Sequence, residues 1–221
     1  MKFIKIFDTH NPDYMDYISS ENSVLPNLSY CKNENEVHFN KYDYSRDYLT
    51  FTALEDGTFT FSTNAVNYSL DNGETWTELT ANTASPTVTT GNKIMWKATL
   101  TPTSNGIGKF SSTGNFEVKG NVMSLLYSDN YKNQYDLTEK TNCFKQLFNN
   151  CSKLISAKNL SLPATTLENS CYSNMFKDCT SLTTAPELPA TTMKQYCYTY
   201  MFSGCNTLIK APELPATTLA P

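Results

Sequence analysis

The feature that most constrains this chain is a repeat. Leu-Pro-Ala-Thr-Thr begins at Leu162, Leu188 and Leu214, 26 residues apart each time. A second pattern, Cys-x4-Phe-x2-Cys, keeps step with it at 143–151, 171–179 and 197–205. Cys143 to Cys171 is 28 residues and Cys171 to Cys197 is 26, the two extra residues falling in 156–160. Self-similarity at a period of about 20–29 residues is the mark of a leucine-rich solenoid. Its units cannot bury their apolar faces alone, so neighbours must stack. In that frame Leu154, Leu182 and Leu208 enter a short strand. Pro163, Pro189 and Pro215 turn the chain, and Met175-Phe176 and Met201-Phe202 occupy the inward face of a short helix. The expected fold of residues 129–221 is therefore a short α/β solenoid. The last repeat turn lies beside Pro221, so either further repeats or a partner is expected to cover its open end.

The same period explains the cysteines. Cys31 stands alone, and the other six are Cys143, Cys151, Cys171, Cys179, Cys197 and Cys205. A spacing of i, i+8 matches no common zinc motif. Matching positions in stacked repeats instead give two columns of buried thiols, since free cysteine behaves as a small hydrophobe. A structural thiol ladder is expected, with neither metal nor cofactor. The chain has only two histidines, His10 and His38, and one arginine, Arg46, which leaves no material for a His-rich metal site or an arginine triad. With 17 basic against 21 acidic residues, the net charge of −4 offers no surplus for nucleic acid. Mean hydropathy is −0.43, and no apolar run is long enough to span a membrane.

Residues 48–128 alternate polar and apolar residues in short runs: 48–54, 58–62, 65–70, 87–90, 93–100, 107–111, 116–119 and 122–127. Short strands punctuated by Asp-Gly and Asn-Gly turns predict an Ig-like β-sandwich, with Phe61, Trp76, Trp96 and Phe110 as core anchors. Ser69, Asp71, Gly73, Thr75 and Trp76 fit the Asp-box pattern S-x-D-x-G-x-T-W, a hairpin device in which the carboxylate ties the turn. Carboxylate pairs such as Asp71 with Glu74 or Glu78 could in principle serve hydrolysis, and solvation is the plainer role. No catalytic residue is assigned. Leu-Pro-Ala-Thr-Thr is read as a repeat turn, not as a sorting signal, because it recurs inside the chain.

Residues 1–47 lack glycine and show no sustained period except a short alternating run, Glu36-Val37-His38-Phe39. They read as an irregular anchoring arm. Tyr14, Tyr17, Tyr30, Tyr42 and Tyr44 are its candidate docking residues, since tyrosine supplies contact area with a polar tip. Phe3 to Phe7 is too short and too charged for a secretory signal, so export by the usual route is not expected.

The run from Tyr200 through Leu208 to Pro215 resembles the BspA-like leucine-rich repeats of bacterial surface proteins and gut phages. The block 48–127 is similar to a β-domain that accompanies such repeats in Bacteroides and its phages, including crAss-like phages. The resemblance implies a structural protein of the virion, a head or tail fibre or appendage component and a homo-oligomer. Residues 1–47 would dock on other virion proteins, and the repeats would face a host-surface glycan or protein. The alternative is a bacterial cell-surface adhesin. The family fixes no catalytic residues.

Overall fold

A computed structural model describes residues 43–216, together with the backbone of Phe3–Phe7, Met15–Ser19, Tyr30–Asn33, Glu36–Phe39 and Thr218–Leu219. The chain divides into two compact units, Met1–Asp43 and Tyr44–Pro221. In the first, β1 (Phe3–Phe7) pairs antiparallel with β2 (Met15–Ser19), and β3 (Tyr30–Asn33) with β4 (Glu36–Phe39). The expectation of an irregular arm is thus corrected. Only β4 coincides with an alternating run in the sequence; strands of four or five residues otherwise carry too little alternation to stand out singly, and pairing across a hairpin is what defines them.

The second unit contains β5 (Leu49–Ala53), β6 (Phe59–Phe61), β7 (Val66–Ser69), β8 (Thr77–Leu79), β9 (Lys93–Lys97), β10 (Phe110–Ser112), β11 (Phe116–Asn121) and β12 (Leu154–Ser161). Six of these form one mixed sheet in the order β12-β11-β5-β9-β7-β8, while β6 and β10 form a separate antiparallel pair. This replaces the expected Ig-like sandwich. Among the described residues there are not two comparable antiparallel sheets, and β12, which pairs parallel with β11, comes from the repeat region. Period-2 burial drives the strands: Phe59 and Phe61 turn inward around Thr60, as do Ile94 and Trp96 around Met95. Phe51 is the hub, with its ring centroid 4.8 Å from Phe110, 5.0 Å from Phe116 and 5.3 Å from Phe59.

The strand expected at 122–127 is instead a single helical turn, α1 (Ser124–Tyr127). Gly120 at φ +82° sets up the change of direction, and a Cβ there would collide with the Tyr48 carbonyl. Asn121 Oδ1 then accepts the Met123 N–H at 2.9 Å. Buried Ser124 Oγ accepts from Leu49 N and donates to Trp96 O, which pins α1 to the sheet.

The α/β solenoid is also corrected. No helix occurs among the described residues 131–216. The segments read as short helices are trains of turns in which every fourth residue has positive φ. These are Asn142, Gln146 and Asn150, then Ser170, Asn174 and Asp178, then Tyr196, Tyr200 and Gly204. A left-handed residue at that spacing interrupts any i→i−4 ladder. The backbone N–H groups divide into two sets. Lys145, Asn149 and Cys151 each donate three residues back, closing turns. Phe144, Gln146, Phe148 and Asn150 donate to Cys171, Ser173, Met175 and Lys177 of the next coil at 2.8–3.0 Å. Tyr172, Asn174, Phe176 and Asp178 repeat this toward Cys197, Thr199, Met201 and Ser203. On another side of each coil, β13 (Thr166–Leu167), β14 (Thr192–Met193) and β15 (Thr218–Leu219) pair in parallel.

Side chains follow the same period of four. Cys143, Leu147 and Cys151 form one buried row, and Phe144 and Phe148 another. Stacking the coils aligns Phe144, Tyr172 and Tyr198 at 5.7 and 5.8 Å, and Phe148, Phe176 and Phe202 at 5.5 Å. Phe148 also lies 5.9 Å from both Phe51 and Phe110, so the sheet and the coils share one core. The two extra residues of the first repeat lie in β12, an eight-residue strand paired with the edge of the sheet.

Candidate interaction surface

The Asp-box residues do come together. Asp71 accepts from Ser69 Oγ at 2.6 Å and from Thr75 N at 2.9 Å, and also from the Thr75 hydroxyl. Gly73, at φ +91°, donates its N–H to Ser69 Oγ at 2.8 Å. The Ser69 and Thr75 hydrogen bonds hold the Asp71 carboxyl well below the usual carboxylate range. Both of its oxygens are thus committed to the turn and unsuited to proton transfer.

Trp76 is not the core anchor expected of it. It opens the way into edge strand β8 and folds back on its own turn, its Nε1 donating to Gly73 O at 3.1 Å. Lys97 Nζ lies 4.2 Å from the centroid of its ring, and Tyr48 packs edge-on at 4.9 Å. Asp129 closes the group, accepting from Lys97 at 2.8 Å and from Tyr48 OH at 2.7 Å. Burial and the Asp129 carboxylate push the Tyr48 phenol up to about 12. The cluster fastens the Asp-box edge to the turn after α1, with the indole face already occupied by the lysine.

All six repeat cysteines are free and buried. Three of the thiols bond to main-chain carbonyls of the preceding coil or its turn at short range: Cys179 to Phe148 O at 3.0 Å, Cys205 to Phe176 O at 3.0 Å and Cys197 to Glu168 O at 3.2 Å. The Cys143 thiol is raised by its hydrogen bond with Cys171 and by burial. Burial lifts Cys151 to about 12 and Cys197 to about 11. Thiols raised in this way, Cys143, Cys151 and Cys197, are neutral and poorly nucleophilic. Among the described residues no group of three His, Cys, Asp or Glu is placed to hold a metal, and no helix is long and apolar enough to cross a membrane.

Of the tyrosines expected to dock, Tyr14 and Tyr42 lie outside the described residues. Tyr17 falls in β2 and Tyr30 in β3, where only the backbone is described. Tyr44 opens a 3-10 turn at Tyr44–Arg46, half-buried, with Lys119 Nζ 5.8 Å from its ring centroid.

The residues missed in the sequence are on the third coil. Tyr196 and Tyr200 are 64% and 66% exposed, and both sit at left-handed φ, 62° and 53°. Their register partners are Asn142 and Ser170 for one, Gln146 and Asn174 for the other. The signal was available: aligned on the cysteines, the outward positions change chemistry from coil to coil while the inward ones do not. Past this coil, Ile209 and Leu214 are exposed beside a groove of about 630 Å³ along 185–189 and 209–213. No protein-family model, curated protein or solved structure matches the chain.

Proposed function

We propose that the protein is a non-catalytic display component of a phage virion, part of a head or tail appendage. Its N-terminal unit docks on the particle, and its stacked coils present a recognition surface to the host. One observation carries the display reading. The inward pattern Cys-aromatic-x-x-Leu/Met-Phe-x-x-Cys is used three times over, whereas the accessible positions between differ in every coil: Lys145, Gln146, Asn149 and Asn150, then Asn174, Lys177 and Asp178, then Thr199, Tyr200 and Ser203. A fixed interior under a varied exterior is the division expected of a scaffold that carries contacts. The carboxylate and thiol groups best placed for chemistry are tied into turns and core. The virion placement is supported by the resemblance to BspA-like repeat proteins of gut phages. Fractionation with an antibody to residues 48–128 tests it. The protein should sediment with purified particles; recovery only in the host envelope would instead support a bacterial adhesin.

A further inference from the structure

We propose that the cleft where the β-region meets the first coil is a binding site for a small anion, its charge borne by a carboxylate, sulfate or phosphate group. The inference goes beyond the display reading and does not depend on it. The cleft holds about 560 Å³ and lies among the turn after β6, the loop 103–109 before β10, and Gln146 of the first coil. These segments approach so closely that main chain forms part of its wall. A Cβ at Gly106 would strike Lys145 O, and one at Gly108 would strike Ser62 O. Both glycines are left-handed, at φ +86° and +124°. Turns of this kind are common makers of main-chain anion sites.

Two observations select the ligand. Gly108 is buried and lines the cleft, yet among the described residues its N–H has no hydrogen-bond partner. Buried main-chain donors are nearly always paired, so a lone one at a cleft marks the place of an acceptor. The neighbouring Lys109 also lines the cleft, and its ammonium forms no ion pair among the described residues. None of the lining residues is acidic. A second ammonium, Lys145 Nζ, is held on the same loop, donating to Ser104 O at 3.0 Å. A donor without an acceptor, beside a cation without a carboxylate, fits an oxyanion, which accepts from both. On the rim, Thr63 keeps a β-branched side chain at φ 72° in a three-residue turn closed by Asn64 N to Ser62 O at 2.9 Å. That turn is strained, and strain of this kind collects at ligand sites.

The test is a titration of the isotope-labelled full-length protein, followed by amide NMR. Sodium acetate, sodium sulfate and sodium phosphate are added at fixed pH and ionic strength, with sodium chloride as the control. The Gly108 cross-peak should move saturably with at least one of the three and not with chloride; which salt moves it separates the carboxylate, sulfate and phosphate sources. Lys109→Gln should weaken the apparent affinity about tenfold and leave Tm unchanged, because the side chain is exposed. Lys109→Arg should keep most of the affinity. A Gly108 peak that saturates with none of the anions, one that moves equally with chloride, or an unchanged affinity in Lys109→Gln would each overturn the proposal. None of these results would touch the display reading, which stands or falls on the particle fractionation.

Discussion

The hydroxyl of Tyr172 is fully buried and has no hydrogen-bond partner, and the same is true of Tyr198 OH in the next coil. The first coil places Phe144 at this position in the same stacked column. An unsatisfied buried hydroxyl is unfavourable by about 1–3 kcal/mol. Tyr172→Phe should therefore stabilise the fold by about 1 kcal/mol, read as a higher midpoint in thermal or urea unfolding; a loss of stability would reveal a partner for the oxygen. The thiols set a limit at high pH. Burial raises Cys151 from the ordinary 9.0 to about 12, and Cys197 to about 11. A raised pKa means that the folded state keeps the proton that the unfolded state gives up. The stabilisation is thus complete below pH 9 and is lost as pH rises through about 11 and 12. Stability measured by urea unfolding should be flat in this respect to pH 9 and fall above it. Replacing Cys151 with Ala should flatten the alkaline fall while lowering stability at neutral pH.

At the scale of elements, the turn train has a definite spectroscopic consequence. With no helix among the described residues 131–216 and only four residues in α1, far-UV circular dichroism should show no helical double minimum. A helical spectrum would restore the α/β alternative. Gly204 tests the left-handed positions directly. It sits at φ +78°, and a Cβ there would run into the Asp178 carboxylate. Gly204→Ala should destabilise by about 1 kcal/mol or more in denaturant unfolding. The distinction between helix and turn train was legible in part. The apolar spacing Cys143, Leu147, Cys151 is four residues, not the three-and-four alternation of a helical face, and Asn or Asp recurs between. What hid it was the assumption that a leucine-rich period implies a helix on the outer side. The bonds of the Asp-box turn were legible because they close within eight residues, from Ser69 to Trp76, although the place of the Trp76 ring outside the core was not. The N-terminal hairpins were not, because their strands gain definition only from each other.

At the scale of the whole molecule, Phe148 joins what sequence patterns divide. It belongs to the first coil yet contacts Phe51 and Phe110 of the β-region, and β12 extends the sheet from the same repeat. Phe148→Ala should cost about 3–5 kcal/mol and lower the midpoint of the sheet and coil signals together. Two separate transitions would mean that the shared core is not cooperative. A fragment ending at residue 128 should fail to fold, having lost β12 from beside β11 and the aromatic cover from Phe51. The chain by itself determined the repeat period, the inward residues of each coil and the tied hairpin, since these depend on neighbours in sequence or on strict recurrence. Only the tertiary structure decided that the coils are turns, that the sheet takes a strand from the repeats, and that two tyrosines stand in left-handed positions on the outer face. Each of those depends on which distant backbone groups find one another, and local preference is silent about that.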